Sequence, residues 1–289
     1  TNVQLGDGSS WTTIATVDGT SNGQAVALKL NLNSAATEAN IGYVLQAIRF
    51  RSTSDNPTVN NTKTTRAYTV LINDGSNNGL AGGSALDSNT LTGTITITQA
   101  NDLPVADLNG ATAGISNTVS WTETANANST AVAISPNATL SDSDNTNLTQ
   151  ITLLITGVLD GNSEVLAISG VNFLLGTNYT STTAGAFSVS YSTSTGVVTI
   201  LPASGSTFTL ASAQTLLRGI TYNNTTHNPT TSSNRVVSIT LIDAGDNNSG
   251  GANQTTSLVA TSTISLTAVN DTPTLTAETF GYTDTVADD

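Results

Sequence analysis

The sequence predicts an all-β protein built from tandem β-sandwiches, and three observations lead there. Short segments alternate apolar and polar residues, as half-buried strands do. Turn dipeptides separate them: Asp18-Gly19, Asn22-Gly23, Asp74-Gly75, Asn78-Gly79, Asn109-Gly110 and Asp160-Gly161, which suit positions that need positive φ. Most of the pattern also occurs twice, and self-similarity at a fixed period marks an array.

Along the chain, the run Gln24 to Leu32 alternates, with Val26, Leu28, Leu30 and Leu32 on one face. Thr37 to Gln46 is Ala-rich with few β-branched residues, which predicts a short helical turn. Its counterpart is Leu210 to Leu217. Val44 to Phe50 returns as Leu216 to Tyr222, and Asn56-Pro57-Thr58 as Asn228-Pro229-Thr230. Leu71-Ile72-Asn73-Asp74-Gly75 returns as Leu241-Ile242-Asp243-Ala244-Gly245. The strand Thr92 to Thr98 matches Thr261 to Thr267, each with a Thr row expected on the wet face of a sheet. Asn101-Asp102-Leu103-Pro104 and Asn270-Asp271-Thr272-Pro273 close the two copies.

These matches divide the chain into 1–102, the C-terminal part of a repeat; 103–271, a complete repeat; and 272–289, the start of another. The first half of the complete repeat, Val105 to Ser169, has no counterpart before Thr1. The chain therefore reads as an excerpt of a longer protein, or as a subunit whose missing strands come from a neighbour.

Composition narrows the function. The 289 residues carry 20 Asp+Glu against 7 Lys+Arg, a net charge of −13. No cationic face is available for nucleic acid or an anionic membrane surface. No transmembrane run is present, so this segment is not expected to enter a membrane. Carboxylates suit hard divalent cations, although acidity also serves solubility. With no Cys and no Met, disulfides and thiolate metal sites are excluded. The abundance of Thr, Ser, Asn and Gly fits a location outside a bacterial cell.

The closing strand followed by Val-Asn-Asp-x-Pro resembles the linker of cadherin-type repeats. Leu217 to Pro229 is similar to the cadherin-like repeats of very large bacterial surface proteins and adhesins, as is Ile72-Asn73-Asp74-Gly75. The tail Gly281 to Asp289 resembles the opening of a VCBS-type repeat. The resemblance implies Ig/cadherin-like Greek-key sandwiches stacked in an extracellular rod, with Ca²⁺ at the junctions. It carries over Asn101 and Asp102 as linker ligands, with Asn270 and Asp271 in the next linker. Glu123 matches the early Glu, Asp142 and Asp144 the Asp-x-Asp element with Asn147 beyond, and Asp243 the late acidic position that Asp74 fills in copy one. The Leu-Asp-Arg-Glu element of animal cadherins is absent, and the second linker Asn is missing, so the resemblance supports one ion or none at each junction.

Each of these residues has a plainer reading. Asp142 and Asp144 suit an Asx-stabilised turn. The Asn-Asp pairs suit a rigid turn ahead of proline, and Glu123 suits an exposed face. Asp7 and Asp18 belong to Asp-Gly turns. His227, the single histidine, is expected in a solvent-facing loop where copy one has Asp55, since zinc sites usually need more His or Cys. Trp11 and Trp121 are expected as core or sheet-face anchors. Sequons at Asn137, Asn178 and Asn224 leave glycosylation open. No nucleophile elbow or phosphate loop occurs, so no enzyme activity is expected. The function expected is a Ca²⁺-supported stalk of a bacterial surface adhesin. Its partners would be neighbouring repeats, copies of itself, surface glycans or other cells. The alternatives are a filament or surface-layer subunit assembled by strand exchange, and a carbohydrate-binding module.

Overall fold

The computed structural model describes residues 1–6, 9–22, 26–75, 85–204, 208–245 and 254–273, with 275 and 281. Asp7, Gly23, the Asn78-Gly79 turn, the first two residues of the Gln24 run and the tail beyond Gly281 lie outside these residues. Among the described residues the chain is all-β with two α-helices and one short 3-10 turn, and it divides into two compact units, Thr1–Thr53 and Ser54–Asp289. Among the described residues, no helix is long and apolar enough to cross a membrane.

In the first unit, β1 (Asn2–Gly6), β2 (Trp11–Asn22) and β3 (Leu28–Leu32) form an antiparallel sheet in that order. Asp18-Gly19 makes an Asx turn that does not end a strand. It lies inside β2, where the register breaks between Val17 and Asn22. The Asp18 Oδ1 accepts from the amides of Thr20 (2.9 Å) and Ser21 (3.0 Å) and from the Thr20 hydroxyl (2.7 Å). The Thr20 hydroxyl and these amides hold the Asp18 carboxyl well below the usual carboxylate range. Helix α1 (Glu38–Ala47) starts on Thr37, whose side chain caps the amide of Asn40.

In the second unit, β4 (Thr65–Val70) and β5 (Leu91–Thr96) form an antiparallel pair. The complete repeat follows with β6 (Val105–Asp107), β7 (Asn117–Thr122), β8 (Val132–Ala133), β9 (Thr139–Ser141) and β10 (Leu148–Thr156). Next come β11 (Glu164–Ile168), β12 (Val171–Leu174), β13 (Tyr179–Ala184), β14 (Phe187–Ser192) and β15 (Val197–Pro202). Helix α2 (Leu210–Gly219), β16 (Thr221–Asn224), β17 (Arg235–Asp243) and β18 (Ala260–Thr267) complete it. A seven-stranded sheet runs β13-β14-β15-β10-β17-β18-β7, and a four-stranded sheet runs β12-β11-β16-β8. All pairs within these two sheets are antiparallel except β18 with β7, which is parallel over Ser262–Thr267 and Asn117–Thr122.

One core unites the two sheets. Burial alternates strictly along β17, so Val237, Ile239 and Leu241 join Ile151, Leu153 and Ile200 against Leu166, Phe173 and Tyr222. Both predicted helical turns are ten-residue helices. In α2, Ala213, Leu216 and Leu217 face inward at the three- and four-residue spacing of one helical face. Trp121 is fully buried, edge-on to Tyr222, whereas Trp11 is 63% exposed and anchors no core.

The internal repeat is written in hydrogen bonds. Asp74 and Leu86 exchange backbone and side-chain bonds as Asp243 and Thr255 do. Ile72 with Ser88 repeats as Leu241 with Ser257. Thr209 caps Ser212 as Thr37 caps Asn40. These pairs correct the motif alignment by one residue: Ile72, not Leu71, matches Leu241, and Asp74 matches Asp243.

Burial differs between the copies. Of the face expected to be half-buried, Leu30 is, whereas Val26, Leu28 and Leu32 are exposed. Leu28 is 44% accessible, whereas Ile200, at the matching place in β15, is fully covered. In the complete repeat, Ile200 belongs to one buried cluster with Leu166 of β11 and Phe173 of β12, and β11 lies in the half that has no counterpart in copy one. Asn224, one of the sequons, is fully buried with its amide on Asp160, so it is closed to glycosylation in the folded chain.

Candidate metal centres at the two ends of the complete repeat

The register of β17 places two polar clusters at opposite ends of the long sheet. Asp243 pairs with Leu148 at one end. At the other, Arg235 pairs with Ile264, and β18 continues to Thr267 beside Thr122.

At the first end, the linker after β5 meets the loops after β9 and β17. Asn101 Nδ2 donates to Asp243 Oδ2 (2.8 Å), and Asn101 Oδ1 accepts from Asn145 Nδ2 (2.6 Å). Asp144 Oδ2 accepts from Gln99 Nε2 (2.8 Å) and from the Asp102 amide (3.2 Å). The Thr255 hydroxyl lies 2.8 Å from the Asp102 carbonyl and also meets the Asp243 carboxylate. Asp142 Oδ1 accepts from the amides of Asp144 (3.1 Å) and Asn145 (3.0 Å), which is the Asx turn anticipated for this loop.

Acceptors outnumber donors here. Asp142 Oδ2 and Asn145 Oδ1 are buried and receive no hydrogen bond among the described residues. Burial, then the adjoining Asp144 carboxylate, pushes the Asp142 carboxyl up to about 7. Asp102 is raised as well, by burial first and then by the charges of Asp144 and Asp55. Two carboxylates side by side need either a shared proton or a cation. The donor set is all oxygen, which fits a hard divalent ion. Turning the Asn101 or Asn145 amide over would exchange an Nδ2 donor for an Oδ1 ligand.

Five of the expected ligands therefore meet in one network: Asn101, Asp102, Asp142, Asp144 and Asp243. The Asn147 backbone carbonyl accepts from the Ala244 amide (3.1 Å). Asp74 holds the equivalent place in copy one, where its carboxylate accepts from the Leu86 amide (2.8 Å), so it does not join this cluster. Gln99, Asn145 and Thr255 were missed. Asn145 directly follows the Asp-x-Asp element, and that adjacency was its available signal.

At the second end, Glu123 follows β7 and is only 4% exposed, not on an open face. Its Oε2 accepts from the Val269 amide (2.9 Å). Its Oε1 has no hydrogen-bond partner among the described residues. Asp271 Oδ1 accepts from the Asn126 amide (2.6 Å), while Asn270 turns its amide onto the Asp271 carbonyl (3.2 Å), as Asn101 does onto Asp102. His227 is exposed, as expected of a loop histidine. It nevertheless finds partners: one donor atom each from Glu123, His227 and Asp271 lie within 4.8 Å of one another.

A third cluster was not anticipated. Arg235, fully buried, grips both oxygens of buried Glu164 at 2.9 Å each and reaches Asp160 at 3.1 Å. Burial opposes an ionised Asp160. The hydroxyl and amide of Thr230, the Asn224 amide and the Arg235 charge outweigh it, and the carboxyl titrates below its ordinary value.

No family model matches the chain, and no curated protein matches it. Among solved structures, the chain is similar to the crystal structure of BcpA, the major pilin subunit of Bacillus cereus, at 12% identity and a TM-score of 0.24. The match covers 69% of this chain and 47% of that one, so the chain spans about half the length of the pilin, and so low a TM-score carries no inference here.

Proposed function

We propose that the chain is a structural repeat module of an extracellular bacterial surface adhesin, with junctions stiffened by Ca²⁺. The observation that carries this reading is the acceptor-rich cluster at the linker, where Asp142 Oδ2 and Asn145 Oδ1 lack donors beside Asp102, Asp144 and Asp243. A cation there would tie the Asn101-Asp102 linker to two loops of the complete repeat. The recurring hydrogen-bond set and the resemblance to cadherin-like repeats support the same reading. Extracellular Ca²⁺ modules bind at about 10⁻⁴–10⁻³ M, so millimolar external Ca²⁺ would stiffen junctions that remain loose inside a cell. Small-angle scattering tests this. Chelation should alter the maximum dimension while each sandwich stays folded, and an unchanged dimension would reject the proposal.

Arg66 favours a second reading, assembly by strand exchange. It matches Arg235, since Arg66 pairs with Ile95 where Arg235 pairs with Ile264. Among the described residues, its hydrogen bonds go only to the carbonyls of Pro57, Lys63 and Thr65, with no carboxylate in reach. A strand from another copy that brings carboxylates to Arg66 would supply the missing charges and a new ladder. Sedimentation should then show polymers that grow with concentration and are weakened by Arg66→Ala. A monomer at every concentration would remove this reading.

A further inference from the structure

We propose that Glu123, His227 and Asp271 form a binding site for a borderline divalent metal of the Zn²⁺ type, chemically distinct from the all-oxygen cluster at the other end of the repeat. The geometry is the first reason. One imidazole nitrogen and two carboxylate oxygens lie within 4.8 Å of one another. A zinc-type ion about 2.0–2.2 Å from each ligand in tetrahedral geometry holds its donors roughly 3.4 Å apart, so closure takes at most about 1.4 Å. The exposed imidazole is the ligand able to supply that movement.

The second reason is Glu123 itself. The residue is only 4% exposed, yet Oε1 meets no donor among the described residues. A buried carboxylate oxygen without a partner is costly, and a cation is the partner that two carboxylates and a neutral imidazole would share. Both acids are already positioned from behind: Glu123 by the Val269 amide through Oε2, and Asp271 by the Asn126 amide through Oδ1. Supports of this kind orient metal ligands.

The repeat explains the choice of metal. Copy one has Asp55 where copy two has His227, and Asp55 lies close enough to Asp102 to act on its charge, as His227 faces Asp271. The same position thus looks onto the linker acid in both copies, offering oxygen in one and nitrogen in the other. Ca²⁺ takes oxygen ligands, whereas imidazole suits Zn²⁺, Cu²⁺ and Ni²⁺. The inference stands apart from the stalk reading and from the Ca²⁺ cluster.

The test uses the fact that His227 is the only histidine of the chain, so one imidazole NMR signal reports the site directly. Zn²⁺ alone is titrated into the 289-residue chain in the presence of millimolar Ca²⁺. The signal should shift or broaden to completion at one Zn²⁺ per chain, and Ca²⁺ alone should leave it in place. Loss of supporting partners alone weakens metal sites 10–100-fold, so losing a direct ligand in Glu123→Gln or Asp271→Asn should weaken binding at least about tenfold. Asp271→Asn changes a linker residue, so it keeps the test available if Glu123→Gln does not fold. The proposal is overturned by an imidazole signal indifferent to Zn²⁺. Unchanged affinity in Asp271→Asn overturns it too, because a lone surface imidazole would then account for binding.

Discussion

Replacing Glu164 with Ala should destabilise the complete repeat by about 3–5 kcal/mol, the usual cost of stripping one partner from a buried ion pair. All five N–H groups of Arg235 are engaged: two with Glu164, one with Asp160, and two with the carbonyls of Thr230 and Ser233. Glu164 also accepts from the amides of Leu159 and Asp160 and from the Tyr222 hydroxyl. Burial, then the Glu164 charge, drives the Tyr222 phenol far above its ordinary range, so that hydroxyl stays a donor. Removing Glu164 leaves a guanidinium with no exposed surface and only Asp160 beside it. For a repeat of this size the loss amounts to about 10 °C in Tm. Glu164→Leu combined with Arg235→Met should recover much of it, because the desolvation cost goes with the charges. Thermal unfolding of the single and double variants checks this, and a near-neutral Glu164→Ala would refute it.

The second large effect is expected at the linker. Folding raises the Asp142 carboxyl from its ordinary value to about 7, so between roughly pH 4 and pH 7 the folded chain holds a proton that the unfolded chain releases. Without cation, stability should therefore fall as pH rises across that window and level off above it. The loss is on the order of 1 kcal/mol, discounted because Asp142 is only partly buried. A divalent cation takes the proton's place, so its benefit should be greatest above about pH 7 and fade below. At about 100 times Kd the gain is about 2.7 kcal/mol. Asp142→Asn should flatten the pH slope and remove most of the Ca²⁺ gain. Equal Tm values with Ca²⁺ and with chelator at about pH 8 would count against a site there.

The strands were legible because their burial has period two. Ser238 to Leu241 lies inside a nine-residue strand whose faces alternate without a break. The helices were legible as Ala-rich gaps, although their Thr caps, which set where they begin, passed unnoticed. The first cluster was legible in its carboxylates, since Asp-x-Asp and Asn-Asp are local patterns. The Thr255 hydroxyl was not, because it arrives from a segment more than 100 residues away with no pattern of its own, whereas Gln99 and Asn145 lie beside those local patterns without being part of them. His227 was dismissed for lack of partners, and they lie 104 residues before it and 44 after. The buried Arg235 network left no trace at all: Asp160 read as a turn residue, and nothing local marks Glu164 as a core charge. Asp18-Gly19 shows the converse: its Asx turn forms, but as an irregularity within a longer strand and not as a boundary between two.

The parallel pairing of β7 with β18 has a mechanical meaning. β7 stands near the start of the complete repeat and β18 near its end, and six residue pairs join them side by side. A pull on the two ends of the repeat drives these strands in opposite directions along their shared axis. Every bond of the ladder is then loaded in shear at once, and none can be peeled off singly. Resistance to extension is set by the rate of unfolding under load, not by equilibrium stability. The strand that closes the repeat is thus also the clasp that bears tension.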